Sequence, residues 1–111
     1  MGFLSRIRGR SGRQGTRSTG GTAPISDGAT RHLTEFATTR RGVEAWVEPA
    51  TAVTGPTLLL VAHDGEWTRR SIPSASWGHS FAEHLGMPGY DAGVVGYPQR
   101  MRDWNSRQKG R

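Results

Sequence analysis

The amino-acid sequence predicts an α+β domain built on a small antiparallel sheet of three to four strands. Apolar residues recur at helical spacing in three stretches, strand-like runs lie between them, and the dipeptide Asp64-Gly65 joins two of these runs. The 111 residues are close to the commonest size of a single domain. We predict the order helix, three strands, helix, strand, helix over residues 30–105, between a disordered basic tail at 1–29 and a frayed basic end at 106–111.

The first predicted helix begins at Asp27 or Thr30, because either side chain can cap a helix N-terminus. Leu33 and Phe36 then follow at a spacing that places them on one helical face. The first predicted strand, residues 43–48, alternates small apolar residues with Glu, Trp and Glu. This alternation indicates a strand with one covered face and one face exposed to solvent.

The dipeptide Asp64-Gly65 predicts a two-residue hairpin turn, because such turns need positive φ angles that Asp and Gly tolerate. A two-residue turn would place Ala62 opposite Trp67. The preceding strand, residues 57–62, is apolar on both faces, which is typical of a central strand. We therefore expect it between the first strand and the third strand, residues 66–72.

The second predicted helix follows Pro73, with Ser74 or Ser76 as its N-cap. Trp77, Phe81 and Leu85 recur at four-residue intervals and so share one helical face. We expect this face to lie on the sheet.

The sequence of the last part of the domain predicts a further strand and a further helix. Residues 91–97 contain two adjacent valines and are the candidate fourth strand. Pro98 suits the first position of a helix, and Met101 and Trp104 would lie on one side of that helix. We expect the chain to fray beyond Asn105.

Positive charge is concentrated at the two ends of the chain. The net charge of +6 divides into +4 for residues 1–29, −2 for residues 30–98 and +4 for residues 99–111. Residues 5–28 are largely Gly, Ser, Thr and Arg, which predicts disorder because they offer little apolar surface to bury. Anionic partners should therefore meet the ends first. The candidate contacts to an anion or nucleic acid are Arg6, Arg8, Arg10, Arg13, Arg17, Arg69, Arg100, Arg102 and Arg107.

The sequence offers no recognisable catalytic, cofactor or metal site. It contains no cysteine, which excludes disulfides and thiolate chemistry, and no phosphate-binding or nucleophile-elbow motif. The four histidines lack metal-ligand spacing. Glu44 and Glu48 share a strand face but would lie about 13 Å apart, so we expect both to be solvated.

The absence of cysteine and of a secretory pattern favours a cytoplasmic protein, although the Arg- and Ser-rich start also fits an organelle transit peptide. No apolar run approaches the roughly 20 residues that a membrane span needs.

Tryptophans leave two interpretations open. If one sheet face is uncovered, Trp67 and Arg69 would lie next to each other on it, where tryptophan could stack on bases. Trp46 would join them only in one strand register. Alternatively, the four tryptophans simply build the core.

The predicted order helix, three strands, helix over residues 30–86 resembles that of the double-stranded RNA-binding domain. That family is known for a lysine-rich start to its second helix, which grips phosphates. The corresponding residues 74–78 here are Ser-Ala-Ser-Trp-Gly, without a basic residue. The resemblance is therefore topological, and it assigns no binding residue.

Three other segments resemble short uncharacterised proteins of actinobacteria that carry a variable basic N-terminal tail. The segments are residues 41–45, 63–70 and 97–104. The resemblance implies a bacterial cytoplasmic protein and brings no activity with it.

These observations favour a non-enzymatic binding or accessory protein whose basic ends contact an anionic partner such as RNA. The alternative is a protein-protein adaptor that docks through Met101 and Trp104, with Trp67 as a further partner contact. An enzyme of unknown type is third, and would need a deep pocket lined by His63, His79 or His84. The sequence does not predict an oligomeric state.

Overall fold

The structure, a computed structural model, describes residues 27–109. Its elements are α1 (Asp27–Thr39), β1 (Glu44–Glu48), β2 (Thr57–Val61), β3 (Trp67–Ser71), α2 (Ala75–His84), β4 (Gly89–Asp91) and α3 (Gln99–Lys109). The predicted α+β class and the order of elements are confirmed. The predicted disordered tail lies outside the described residues, except that residues 27–29 form the start of α1.

The sheet has the strand order β3-β2-β1-β4, with β2 in the predicted central position. The pairs β1–β2 and β2–β3 are antiparallel, whereas β4 pairs parallel to β1, so the sheet is mixed rather than wholly antiparallel as predicted. The fourth strand lies before the predicted valines, because Tyr90 pairs with Trp46 while Val94 is 82% exposed in the loop that follows.

The hairpin between β2 and β3 is shifted by one residue from the predicted register, because Val61 rather than Ala62 lies opposite Trp67. Within this turn only Gly65 has a positive φ, of 96°, whereas a two-residue turn of the expected type needs two such residues. Gly65 N–H donates to the Ala62 carbonyl at 2.9 Å, and Ala62 N–H donates to the Glu66 carbonyl at 2.7 Å. These bonds define a three-residue turn closed by a glycine bulge.

Helices α1 and α2 cover the first face of the sheet, as their apolar spacing predicts. Leu33 and Phe36 of α1 and Trp77 and Phe81 of α2 are buried there against alternate residues of the strands. Ser74 is the N-cap of α2, since its hydroxyl accepts from Trp77 N–H at 3.1 Å.

The second face of the sheet is also covered, so the exposed face that we expected on β1 is wrong. Helix α3 and the loop before it lie on this face, and its buried cluster is Trp46, Leu59, Val61 and Met101. Helix α3 continues to Lys109, beyond the predicted fraying point at Asn105. No helix in the described range has the length and apolar character that crossing a membrane requires.

Candidate functional site

A carboxylate at the end of β1 forms the most connected polar cluster of the second face. Glu48 accepts from Arg69 at 2.8 Å (Nε) and 3.0 Å (Nη2). It also accepts from the hydroxyls of Thr57 and Tyr97, both at 2.6 Å. Its side chain is only 13% exposed. The solvated position expected for Glu48 is therefore wrong, because partners 9 to 49 residues away enclose it.

These contacts change the acidity of the cluster. Burial would raise the pKa of Glu48, but hydrogen bonds from Arg69, Thr57 and Tyr97 lower it, and the net shift is downward. The hydrogen bonds that Arg69 donates to Glu48 in turn raise the pKa of Arg69. The guanidinium of Arg69 is therefore held by a carboxylate of its own domain, which reduces its availability to an external anion.

A second carboxylate on β1, Glu44, holds α3 in a similar way. Arg100 Nη2 donates to Glu44 Oε1 at 2.8 Å, and Arg100 Nε donates to the Ala62 carbonyl at 2.9 Å. Tyr90 O–H donates to Glu44 Oε2 at 3.2 Å, and the charge of Glu44 raises the pKa of Tyr90. Arg100 thus links α3 to β1 and to the hairpin, and Glu44 is not a freely solvated group either.

Trp46 lies between the two carboxylates on the same strand. Its ring centroid is 5.0 Å from that of Tyr90, and its indole N–H donates to the Gly96 carbonyl at 3.3 Å. The side chain is buried, so it packs the second face and offers no surface on which a base could stack.

Two half-buried tryptophans lie where α3 meets β3, and an arginine guanidinium lies over the ring of each. The guanidinium of Arg69 is 5.2 Å from the Trp67 ring centroid, as the sequence predicted for neighbours on one face, and that of Arg107 is 5.8 Å from Trp104. Trp67 Nε1 donates to Asn105 Oδ1 at 2.8 Å. The surface formed here consists of Trp67, Arg69, Trp104, Asn105 and Arg107. The Trp104 and Arg107 pair was missed, although their i, i+3 spacing on a helix could have indicated it.

The remaining predicted contact residues divide between core and surface. Met101 is only 9% exposed and packs against the sheet, so it is occupied by its own domain. Arg102 is exposed and donates to Gln99 at 2.9 Å. The five predicted tail contacts, Arg6, Arg8, Arg10, Arg13 and Arg17, lie outside the described residues.

The described domain is electrically neutral. Residues 27–109 hold nine basic and nine acidic side chains. The net charge of +6 therefore comes entirely from the five arginines at residues 6–17 and from Arg111. The basic residues of α3 offset the acidic surplus of the rest of the domain.

The residues considered for catalysis are not gathered. His63, His79 and His84 are exposed, and no cluster of three or more potential metal ligands occurs within residues 27–109. A cleft of about 300 Å³ lies between the C-terminal ends of α1 and α2, and no histidine lines it. Its lining residues are Ala37, Thr38, Arg40, Gly42, Val43, Leu85, Gly86, Met87 and Pro88.

Comparisons with family models, with curated proteins and with solved structures found no significant match to this chain.

Proposed function

We propose that this chain is a non-enzymatic binding or accessory protein that contacts an anionic partner, RNA in the first instance, through its basic ends. The observation that carries the proposal is the separation of charge. The domain of residues 27–109 is neutral, while residues 1–26 hold five arginines and no acidic residue. A neutral domain with a strongly basic extension favours phosphate contacts that depend little on the nucleotide sequence of the RNA.

The arrangement of α3 supports a smaller contribution from the C-terminal end. Arg102, Arg107 and Lys109 are exposed, and α3 has Asp103 as its one acidic residue. Arg107 stacks near Trp104, a combination that suits a base or a phosphate. Arg69 and Arg100 contribute less, since Glu48 and Glu44 hold their guanidinium groups.

The proposed setting is the bacterial cytoplasm. The lack of cysteine, the arginine-rich composition and the resemblance of residues 41–45, 63–70 and 97–104 to short actinobacterial proteins support this setting.

The test is binding of a fluorescein-labelled single-stranded RNA to the full-length protein, measured by anisotropy over a range of salt concentrations. In one variant the five tail arginines are replaced by glutamine (Arg6→Gln, Arg8→Gln, Arg10→Gln, Arg13→Gln and Arg17→Gln). If all five contact phosphates, the slope of log Kd against log salt should decrease by about 3.5. Arg31→Gln is the matched control, because Arg31 is an exposed arginine of the neutral domain, and it should leave the slope unchanged.

A second variant, Arg102→Gln with Lys109→Gln, should reduce the slope by about 1.4 if α3 contributes two contacts. RNA binding that is absent, insensitive to salt, or equally reduced by Arg31→Gln would contradict the proposal.

A further inference from the structure

Strand β3 forms one edge of the sheet, and its hydrogen-bonding pattern shows which backbone groups face outwards. Ala62 N–H bonds to Glu66 at one end of the β2–β3 ladder, and Ile72 N–H bonds to Pro56 at the other. Bonded pairs alternate along antiparallel strands, so Thr68 and Arg70 also direct their backbone groups towards β2. The N–H groups of Trp67, Arg69 and Ser71 therefore point away from the sheet.

This outer edge is accessible. Residues 69–71 are exposed, and within residues 27–109 no acceptor is bonded to the outward N–H groups of residues 67, 69 and 71. The Arg70 guanidinium donates to the outward Arg69 carbonyl at 2.8 Å, so an incoming strand has to displace this contact to pair there. An open edge strand is a template for pairing with another strand.

The charge along the edge is positive. Arg70 has no ion-pair partner among the described residues, and its charge, after burial, helps to lower the pKa of His32 on α1. Arg69 lies on the opposite face of the strand, paired with Glu48. A strand that carries carboxylates beside Arg70 would be attracted to this edge.

Two other occupants are disfavoured by the same charge. A second copy of β3 in antiparallel pairing would bring its own arginines close to Arg69 and Arg70, and like charges on adjacent strands destabilise pairing. The N-terminal segment of this chain, residues 1–26, has five arginines and no acidic residue, so it is repelled as well. An acidic partner strand is not repelled by the positive charge of this edge.

We propose that the outer edge of β3 binds an extended acidic peptide segment of a partner protein, which adds to the sheet as a fifth strand. The backbone groups of Trp67, Arg69 and Ser71 would supply pairing, and Arg70 would select carboxylates. This site is separate from the basic ends and does not depend on RNA binding.

The test uses the full-length protein and a fluorescein-labelled peptide of alternating valine and glutamate, with alternating valine and lysine as the charge control. Ser71→Pro removes one outward N–H while leaving the bonds to β2 in place, because proline is tolerated where an edge N–H faces solvent. It should weaken peptide binding about tenfold, whereas Ser71→Ala, which keeps the N–H, should not. Arg70→Glu should reverse the preference between the two peptides.

A peptide methylated on alternate backbone nitrogens tests the same contact without altering the protein, and it should not bind. Equal binding of the valine-glutamate and valine-lysine peptides would overturn the proposal, and so would normal binding of the methylated peptide. Sedimentation that shows a dimer lost in Ser71→Pro, with no peptide binding to the wild type, would instead assign the edge to a second copy.

Discussion

On the sheet face that α1 and α2 cover, the buried cluster consists of apolar side chains such as Leu33, Phe36 and Phe81. On the opposite face, α3 and the loop before it are held by Trp46 and Met101 together with two carboxylates, Glu44 and Glu48, each bonded to an arginine and a tyrosine. Both faces are covered, but by different chemistry.

The two faces should therefore contribute to the stability of the domain in different ways. Apolar burial is worth roughly 25 cal/mol per Å² and depends little on pH, so the first face should decide whether the domain folds. Charged hydrogen bonds contribute a smaller net amount and depend on ionisation. The second face should therefore decide how firmly residues 89–109 stay attached.

The largest effect is expected from Phe81→Ala. Phe81 has no exposed surface and stacks on Trp77 with ring centroids 5.2 Å apart, in the middle of the first face. Removing the ring should lower the free energy of unfolding by about 3 to 5 kcal/mol, measured by chemical denaturation. Ser76→Ala, on the exposed side of α2, should stay within about 0.5 kcal/mol of the wild type. Equal effects of the two substitutions would show that this face is not the main core.

A smaller loss is expected from Gly65→Ala, which strains the contact between the hairpin and α3. Residue 65 has a φ of 96°, and a Cβ there would collide with the Arg100 carbonyl and lie 2.9 Å from Trp104 Cβ. Backbone strain and overpacking should together cost roughly 2 to 4 kcal/mol. Differential scanning calorimetry would give the change in unfolding temperature.

Gly55→Ala is the matched control for this substitution. A Cβ at residue 55 would meet no atom within 4 Å, and its φ is not positive. We expect the control to be neutral or slightly stabilising. A destabilisation as large as that of Gly65→Ala would mean that loss of glycine in any loop, rather than the contact with α3, explains the effect.

The first face was predictable from the sequence, because it depends on spacing along single elements. Leu33 and Phe36 in α1, and Trp77 and Phe81 in α2, follow the helical period, and each is buried as expected. The continuous apolar run of β2 correctly indicated the central strand. Local patterns were sufficient here because the partner surface is uniformly apolar.

The second face was not predictable in the same way. Glu44 and Glu48 have the spacing of a solvated strand face, and their arginine partners are 56 and 21 residues away along the chain. The hairpin register was missed by one residue because Asp64-Gly65 suits both a two-residue turn and a three-residue turn with a glycine bulge. Charged pairs between distant elements leave no periodic pattern in the sequence. The pairing of Arg69 with Glu48 and of Arg100 with Glu44 could therefore be found only from the structure.

The smallest effect, and the one specific to the second face, is expected from Glu48→Gln. The substitution leaves Arg69 without its carboxylate and should lower the free energy of unfolding by about 1 to 2 kcal/mol at pH 7. Urea denaturation at a series of pH values would measure the difference between variant and wild type. Glu83→Gln, at an exposed position on α2, is the control and should change little at any pH.

The pH dependence distinguishes an ionic contact from simple packing. Despite burial, the hydrogen bonds that Glu48 accepts hold its pKa in the folded domain below its ordinary value of 4.5. In the acid range the unfolded state therefore binds more protons, and the stabilisation by Glu48 is present above that value and lost as the pH falls through the folded pKa. The difference between wild type and Glu48→Gln should shrink over this range. A difference that stayed constant down to pH 2 would mean that Glu48 acts through its shape, and the contrast between the two faces would lose its electrostatic basis.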